Sequence, residues 1–212
     1  MKFTQLPIKL QKAFLLLALS ILFISHPINA QQHETITPLH EFFQTNYDST
    51  IIYHSWSNWY NAPNYLIVAK QKDKLYFFTY TSPYKNLRGR YFPGNLLQKF
   101  MEEEYKFKRT VPDTNRYLLS KDILQAELSN NWNELKAANL WKLKDDKYNL
   151  KSTGNCMIED GNTNTFHLIS KRDIRILNFY EPDYWEECLG KDINRQKAIK
   201  ARVTFKGISR ED

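Results

Sequence analysis

An α+β fold, one domain built on an antiparallel sheet covered by helices and closed by one disulfide, is predicted by three features of this 212-residue chain. Segments rich in β-branched and aromatic residues fall into two groups, one before residue 82 and one after residue 154. Between the groups lie stretches with apolar residues at helical spacing. Only two cysteines are present, Cys156 and Cys188. Strands and helices that segregate along a chain in this way favour a sheet with helices packed on it. No internal repeat and no Pro/Gly/Ser-rich linker divides the chain.

The first thirty residues read as a secretory leader. Lys2, Lys9 and Lys12 precede an apolar run from Ala13 to Ile24, and Ser25–Ala30 ends on a small residue. That order of basic, apolar and small is the signal-peptide pattern. At about 1.5 Å per residue the run reaches roughly 18 Å, short of the ~30 Å that a hydrocarbon core requires. No cysteine follows the run, which argues against a lipid-anchored form. The expected organisation is a signal peptide over 1–30 and a single α+β domain over 31–212. The product is expected to be exported, periplasmic or extracellular, with no membrane span after signal removal.

Within the domain, Thr37 as cap and Pro38 at the first helical position predict a short helix carrying Leu39, Phe42 and Phe43. Ser49–Trp56, Tyr65–Lys70 and Lys74–Thr81 read as strands, with a polar hairpin at Gln71–Asp73. Residues 82–93 contain two prolines and Gly89 and read as a loop. A helix is expected over 94–108, with Leu97, Phe100, Met101 and Tyr105 on one face. A second is expected from Lys121 to Ala138, capped by Ser120, with Leu124, Leu128, Trp132 and Leu135 as its stripe.

Three further strands are expected at Asn155–Glu159, Thr163–Lys171 and Ile174–Tyr180, the first two joined through Asp160-Gly161-Asn162. Pro182–Leu189 reads as one or two helical turns ending at Gly190. Residues 197–206 carry two patterns. Ile199, Ala201, Val203 and Phe205 alternate as in a strand, whereas the run from Asp192 reads as a helix start. In an oxidising compartment Cys156 and Cys188 are expected to pair, which the chain-entropy model values at roughly 3–4 kcal/mol.

The segment Asp160 to Arg195 reads DGNTNTFHLISKRDIRILNFYEPDYWEECLGKDINR. It resembles the C-terminal part of small secreted bacterial proteins without an assigned activity. In those, a D-G turn precedes an F-Y-x-P-x-x-Y/W segment, a cysteine and a D/N-x-x-R stretch. The resemblance implies a bacterial envelope or extracellular setting and transfers no catalytic residue.

Composition excludes some chemistries. The formal charge is +7, three of these charges lie in the leader, and the rest mix with acidic residues, so no nucleic-acid footprint is present. His40-Glu41-Phe42-Phe43-Gln44 lacks the second imidazole of the H-E-x-x-H zinc helix. Asp160, Asn162 and Asn164 begin like a calcium loop, but Thr165 and Lys171 stand where that loop needs Gly and Glu. No metal, no cofactor and no local nucleophile motif is expected.

What stands out is ring density: Tyr53, Trp56, Trp59, Tyr60 and Tyr65, then Tyr76, Phe77, Phe78 and Tyr80. Such rings either fill a core or form a stacking face. A single sheet with few helices is not expected to be covered equally on both sides. The expected function is therefore a secreted or periplasmic non-enzymatic binding protein, with Tyr53, Trp56, Trp59 and Tyr60 contacting a protein or glycan of the envelope. The alternative is an envelope hydrolase whose site assembles from distant residues around His54 or His167, each lying in a predicted strand.

Overall fold

Residues whose side chains alternate between two buried faces build the sheet. The computed structural model describes residues 36–57, 62–83, 111–112, 116–146 and 156–209, all within one compact unit, Ile36–Asp212. The expected leader, the helix over 94–108, and both Trp59 and Tyr60 lie outside the described residues. In chain order the elements are α1 (Pro38–Asn46), β1 (Ser49–Trp56), β2 (Asn64–Gln71), β3 (Lys74–Thr81), β4 (Leu118–Lys121), α2 (Gln125–Leu135), α3 (Ala137–Leu140), β5 (Thr163–Ser170), β6 (Ile174–Tyr180), α4 (Pro182–Leu189) and α5 (Ile193–Ser209). The strands form one antiparallel sheet in the order β4-β3-β2-β1-β5-β6. The chain is thus an α+β fold with the Cys156–Cys188 disulfide in place.

Both faces of the sheet are covered. Under α2, α3 and α5 lie Ile51, Tyr53, Val68, Phe77, Phe166 and Phe179, packed on Leu128, Leu140 and Phe205. Under α1 lie Ile52, Ile67, Phe78, Tyr80 and Ile169, packed on Leu39 and Phe43. The register explains the separation, since Ile52 faces Ile67 on one side and His167 on the other, while its neighbour Tyr53 faces Leu66 and Phe166. Unequal covering of the two faces was expected, with a filled core or a stacking face both open; a nine-residue helix closes the second face by setting Leu39 and Phe43, both fully buried, over the central strands.

Two expected elements differ, each because a distant partner competes with local preference. The helix expected from Lys121 begins at Gln125, because Ser120 and Lys121 pair with Phe78 and Phe77 as strand β4. Gln125 then closes the junction: its amide accepts from Leu75 N at 3.1 Å and donates to Leu75 O at 2.7 Å. Leu124, assigned to the apolar stripe, falls before the helix and is exposed. Residues 156–158 form no strand; the Tyr184 hydroxyl donates to Met157 O at 2.7 Å and lies 2.9 Å from Met157 N, taking the place of a ladder.

The Asp160-Gly161 turn accordingly leads into β5 without a preceding strand. Gly161 N donates to the Tyr180 hydroxyl at 2.9 Å. A Cβ at Gly161 would come within 2.3 Å of Glu181 Cγ, so only glycine fits there. The two patterns at 197–206 resolve as helix. Ala198, Ala201, Phe205 and Ile208 share the buried stripe, while Val203 points to solvent. Asp192 caps this helix, its Oδ1 accepting from Asn194 N at 2.8 Å and Arg195 N at 3.0 Å.

Candidate functional site

Strand alternation splits the four expected binding residues. Tyr53 and Trp56 are three apart on one strand, an odd separation, so their side chains leave on opposite faces. Tyr53 is a core residue, 3% exposed between Phe166 and Phe205. Its hydroxyl donates to Asn164 Oδ1 at 2.9 Å, and burial pushes its pKa up to about 12 against the opposing pull of Arg202. The expectation that Tyr53 contacts a ligand is corrected on that ground.

Trp56 lies on the α1 side of the sheet and is half-buried. Its indole Nε1–H donates to Thr165 Oγ1 at 3.0 Å, and that hydroxyl donates to Asn178 Oδ1 at 2.7 Å. Thr165 sits between Trp56's strand and β6, directly opposite His54 on one side and Asn178 on the other. This chain uses the one polar atom of the half-buried indole. It also leaves the Asn178 Nδ2 amide, two N–H donors on a half-buried side chain, free of protein partners among the described residues.

Next to this strip, three imidazoles from separate parts of the chain meet. His54 comes from β1, His167 from β5 and His40 from α1. The rings of His40 and His167 are 4.8 Å apart, those of His54 and His167 are 5.3 Å apart, and the Tyr65 ring lies tilted against both His54 and His167. His40 and His167 are buried, whereas His54 is partly exposed.

Hydrogen-bond roles assign the tautomers. The backbone N–H of Thr37 can only donate, and it lies 3.0 Å from His40 Nδ1, so that nitrogen carries a lone pair. The proton of neutral His40 is then on Nε2, which donates to His167 Nδ1 at 2.8 Å. His167 in turn carries its proton on Nε2, and this buried N–H finds no acceptor among the described residues. Thr37 Oγ1, 2.9 Å from His40 Nδ1, supports the same end of the relay. Burial lowers the pKa of His40 to about 4, and burial followed by the charge of His40 lowers that of His54 to about 3. Burial first, then His54 and His40, holds His167 well below the ordinary imidazole value. All three rings are neutral at neutral pH.

This arrangement constrains the chemistry. A general base needs a lone pair facing its substrate, within hydrogen-bond reach. The lone pairs of His40 and His167 are both taken within the relay. A metal held at His40 Nε2 would need the proton moved to Nδ1, where the Thr37 N–H opposes it, and no metal-ligating group of three forms among the described residues. His54 keeps its nitrogens outside the relay, yet no carboxylate contributes to its pKa.

Of the residues singled out in the sequence, the fold brings His54, His167 and Trp56 to one face and sends Tyr53 to the other. His40, Thr165 and Asn178 were not singled out for this role. For His40 a signal existed: it stands three residues after the cap Thr37, where a capping box places Glu or Gln. For Thr165 and Asn178 none did, since their partnership depends on strand pairing. No family model matches this chain, and no curated protein or solved structure matches it either.

Proposed function

We propose that this chain is an exported, non-enzymatic binding protein that takes a neutral glycan on the α1 side of its sheet, at the Trp56 end. The observation that carries the reading is the Trp56–Thr165–Asn178 chain. It fixes an indole ring through its edge and sets on the same face an amide whose donors have no partner among the described residues. A sugar presents both an apolar ring face, which stacks on an aromatic, and hydroxyls, which accept from an amide. His54 and Thr163, the strip's neighbours on β1 and β5, are uncharged at neutral pH, and the one carboxylate bonded to it, Asp145, is buried and accepts from Asn178 N at 3.3 Å, which suits an uncharged ligand better than an anion. The hydrolase reading around His54 or His167 gains proximity from the fold, but the hydroxyl that meets this cluster, Thr37 Oγ1, bonds His40 rather than either of those rings and is tied into the cap of α1.

Two observations support export: the basic–apolar–small order of the first thirty residues and the Cys156–Cys188 bond. Intact mass of the protein from its producing cells is expected to begin at Gln31 and to gain two hydrogens on reduction. A full-length chain with free thiols would contradict export. For the binding face, Trp56→Ala is expected to preserve the fold and to abolish binding of soluble oligosaccharides, read by calorimetry. A variant that binds as the native protein does would remove Trp56 from the site.

A further inference from the structure

In the relay described above every nitrogen facing another group has one role, and an added proton costs the relay one of its hydrogen bonds. A proton added to His40 must go to Nδ1, where it opposes the Thr37 N–H at 3.0 Å. A proton added to His167 must go to its Nδ1, where it opposes the His40 Nε2–H at 2.8 Å. His40 can relieve the second conflict by moving its own proton to Nδ1 and donating to Thr37 Oγ1, but this again costs the Thr37 N–H its acceptor. Either the cap of α1 or the contact of α1 with β5 is lost. The same reasoning does not apply to an ordinary capping box, whose Glu or Gln side chain accepts from the cap N–H without an imidazole's two-proton problem.

We propose that the Thr37–His40–His167 relay is an acid-sensitive latch: uptake of one proton releases the first turn of α1 from β5 and opens the imidazole cluster to solvent. The surroundings favour release over accommodation. From β1 the group facing the pair is His54, a further base, and from β2 it is Tyr65. From α1 the neighbouring acid is Glu41, which is exposed to solvent. On the far end of α1, Lys171 donates to Thr45 O at 2.7 Å and Gln44 to Ser170 O at 3.2 Å, so that end stays tied while the first turn opens. Tyr47, Tyr76, Tyr80 and Tyr117 also belong to this face, and burial, then Tyr76, raises the pKa of Tyr47. No carboxylate contributes to the pKa of any of the three imidazoles, so a proton on His40 Nδ1 meets the neutral Thr37 hydroxyl and no balancing charge. The latch is independent of the glycan reading.

Amide hydrogen exchange on the whole protein tests it, with protection factors taken against the unstructured rate at each pH. Between pH 7 and pH 4 the Glu41 amide, bonded to Thr37 O, is expected to lose roughly tenfold or more in protection while the Ile67 and Val68 amides of β2 keep theirs. His40→Gln supplies the usual capping-box residue and removes the titrating ring. It is expected to keep α1 protected at both pH values. Equal acid loss in His40→Gln, or loss of α1 and β2 protection together in the native protein, would overturn the latch. Should the variant fail to fold, direct NMR titration of the native imidazoles decides: the latch requires His40 to titrate near 4, and titration at the ordinary 6.5 overturns it.

Discussion

Asn164 is 4% exposed, and its side-chain oxygen accepts from the Tyr53 hydroxyl. Tyr53→Phe keeps the ring between Phe166 and Phe205 but leaves that buried acceptor without its donor. A loss of about 1–3 kcal/mol in urea unfolding is expected, with ligand binding untouched. A reduction in binding instead would return Tyr53 to the recognition surface. Aromatic density in the sequence marked both Tyr53 and Trp56, and the strand period shows that they diverge. What the period leaves undetermined is which face is thicker, because that depends on helices arriving from elsewhere. Similarly, His54 and His167 were each visible as strand histidines. Their meeting with His40 follows from the Ile52–His167 register and from the place where α1 lands, neither of which is local.

Elements with strong local signals were legible almost to the residue. Thr37-Pro38 starts α1, and the alternation in Ser49–Trp56 and Lys74–Thr81 gives β1 and β3 as observed. The errors fall where a distant partner overrides local preference. Ser120 is a good cap by type, yet β3 presents an open edge at Phe77 and Phe78 and takes Ser120 and Lys121 as a fourth strand. Residues 156–158 have strand composition but are held by Cys188 and the Tyr184 hydroxyl instead of a ladder. In α5 alternation and helical spacing competed, and burial of Ala198, Ala201 and Phe205 on the sheet decided for the helix.

For the whole molecule, buried neutral histidines make stability depend on pH. The folded-state pKa of His40 lies near 4, below its ordinary 6.5, so between these values the unfolded chain binds more protons than the folded one. Stability from this group is therefore fully present above 6.5 and declines as pH falls toward 4, by about 3 kcal/mol for a shift of that size. His54 and His167 act with the same sign. Asp146 acts with the opposite sign: burial first, against the pull of Arg195, raises its pKa from 3.8 to about 6, so its contribution is present at low pH and lost as pH rises through 6. With three imidazoles against one carboxyl, urea midpoints are expected to fall from pH 7 to pH 4, and to fall more steeply in Asp146→Asn. A flat profile would mean that the imidazoles are not buried as neutral rings.

The Trp56 face is the centre of the functional account, and NMR titration with neutral soluble oligosaccharides tests it most directly. The account predicts that a binding sugar shifts the Trp56 indole N–H and the Asn178 side-chain amide while Tyr53 and its core neighbours stay unmoved, and that Trp56→Ala removes the response. Shifts confined to other surfaces, or none at these two groups for any sugar, would contradict it.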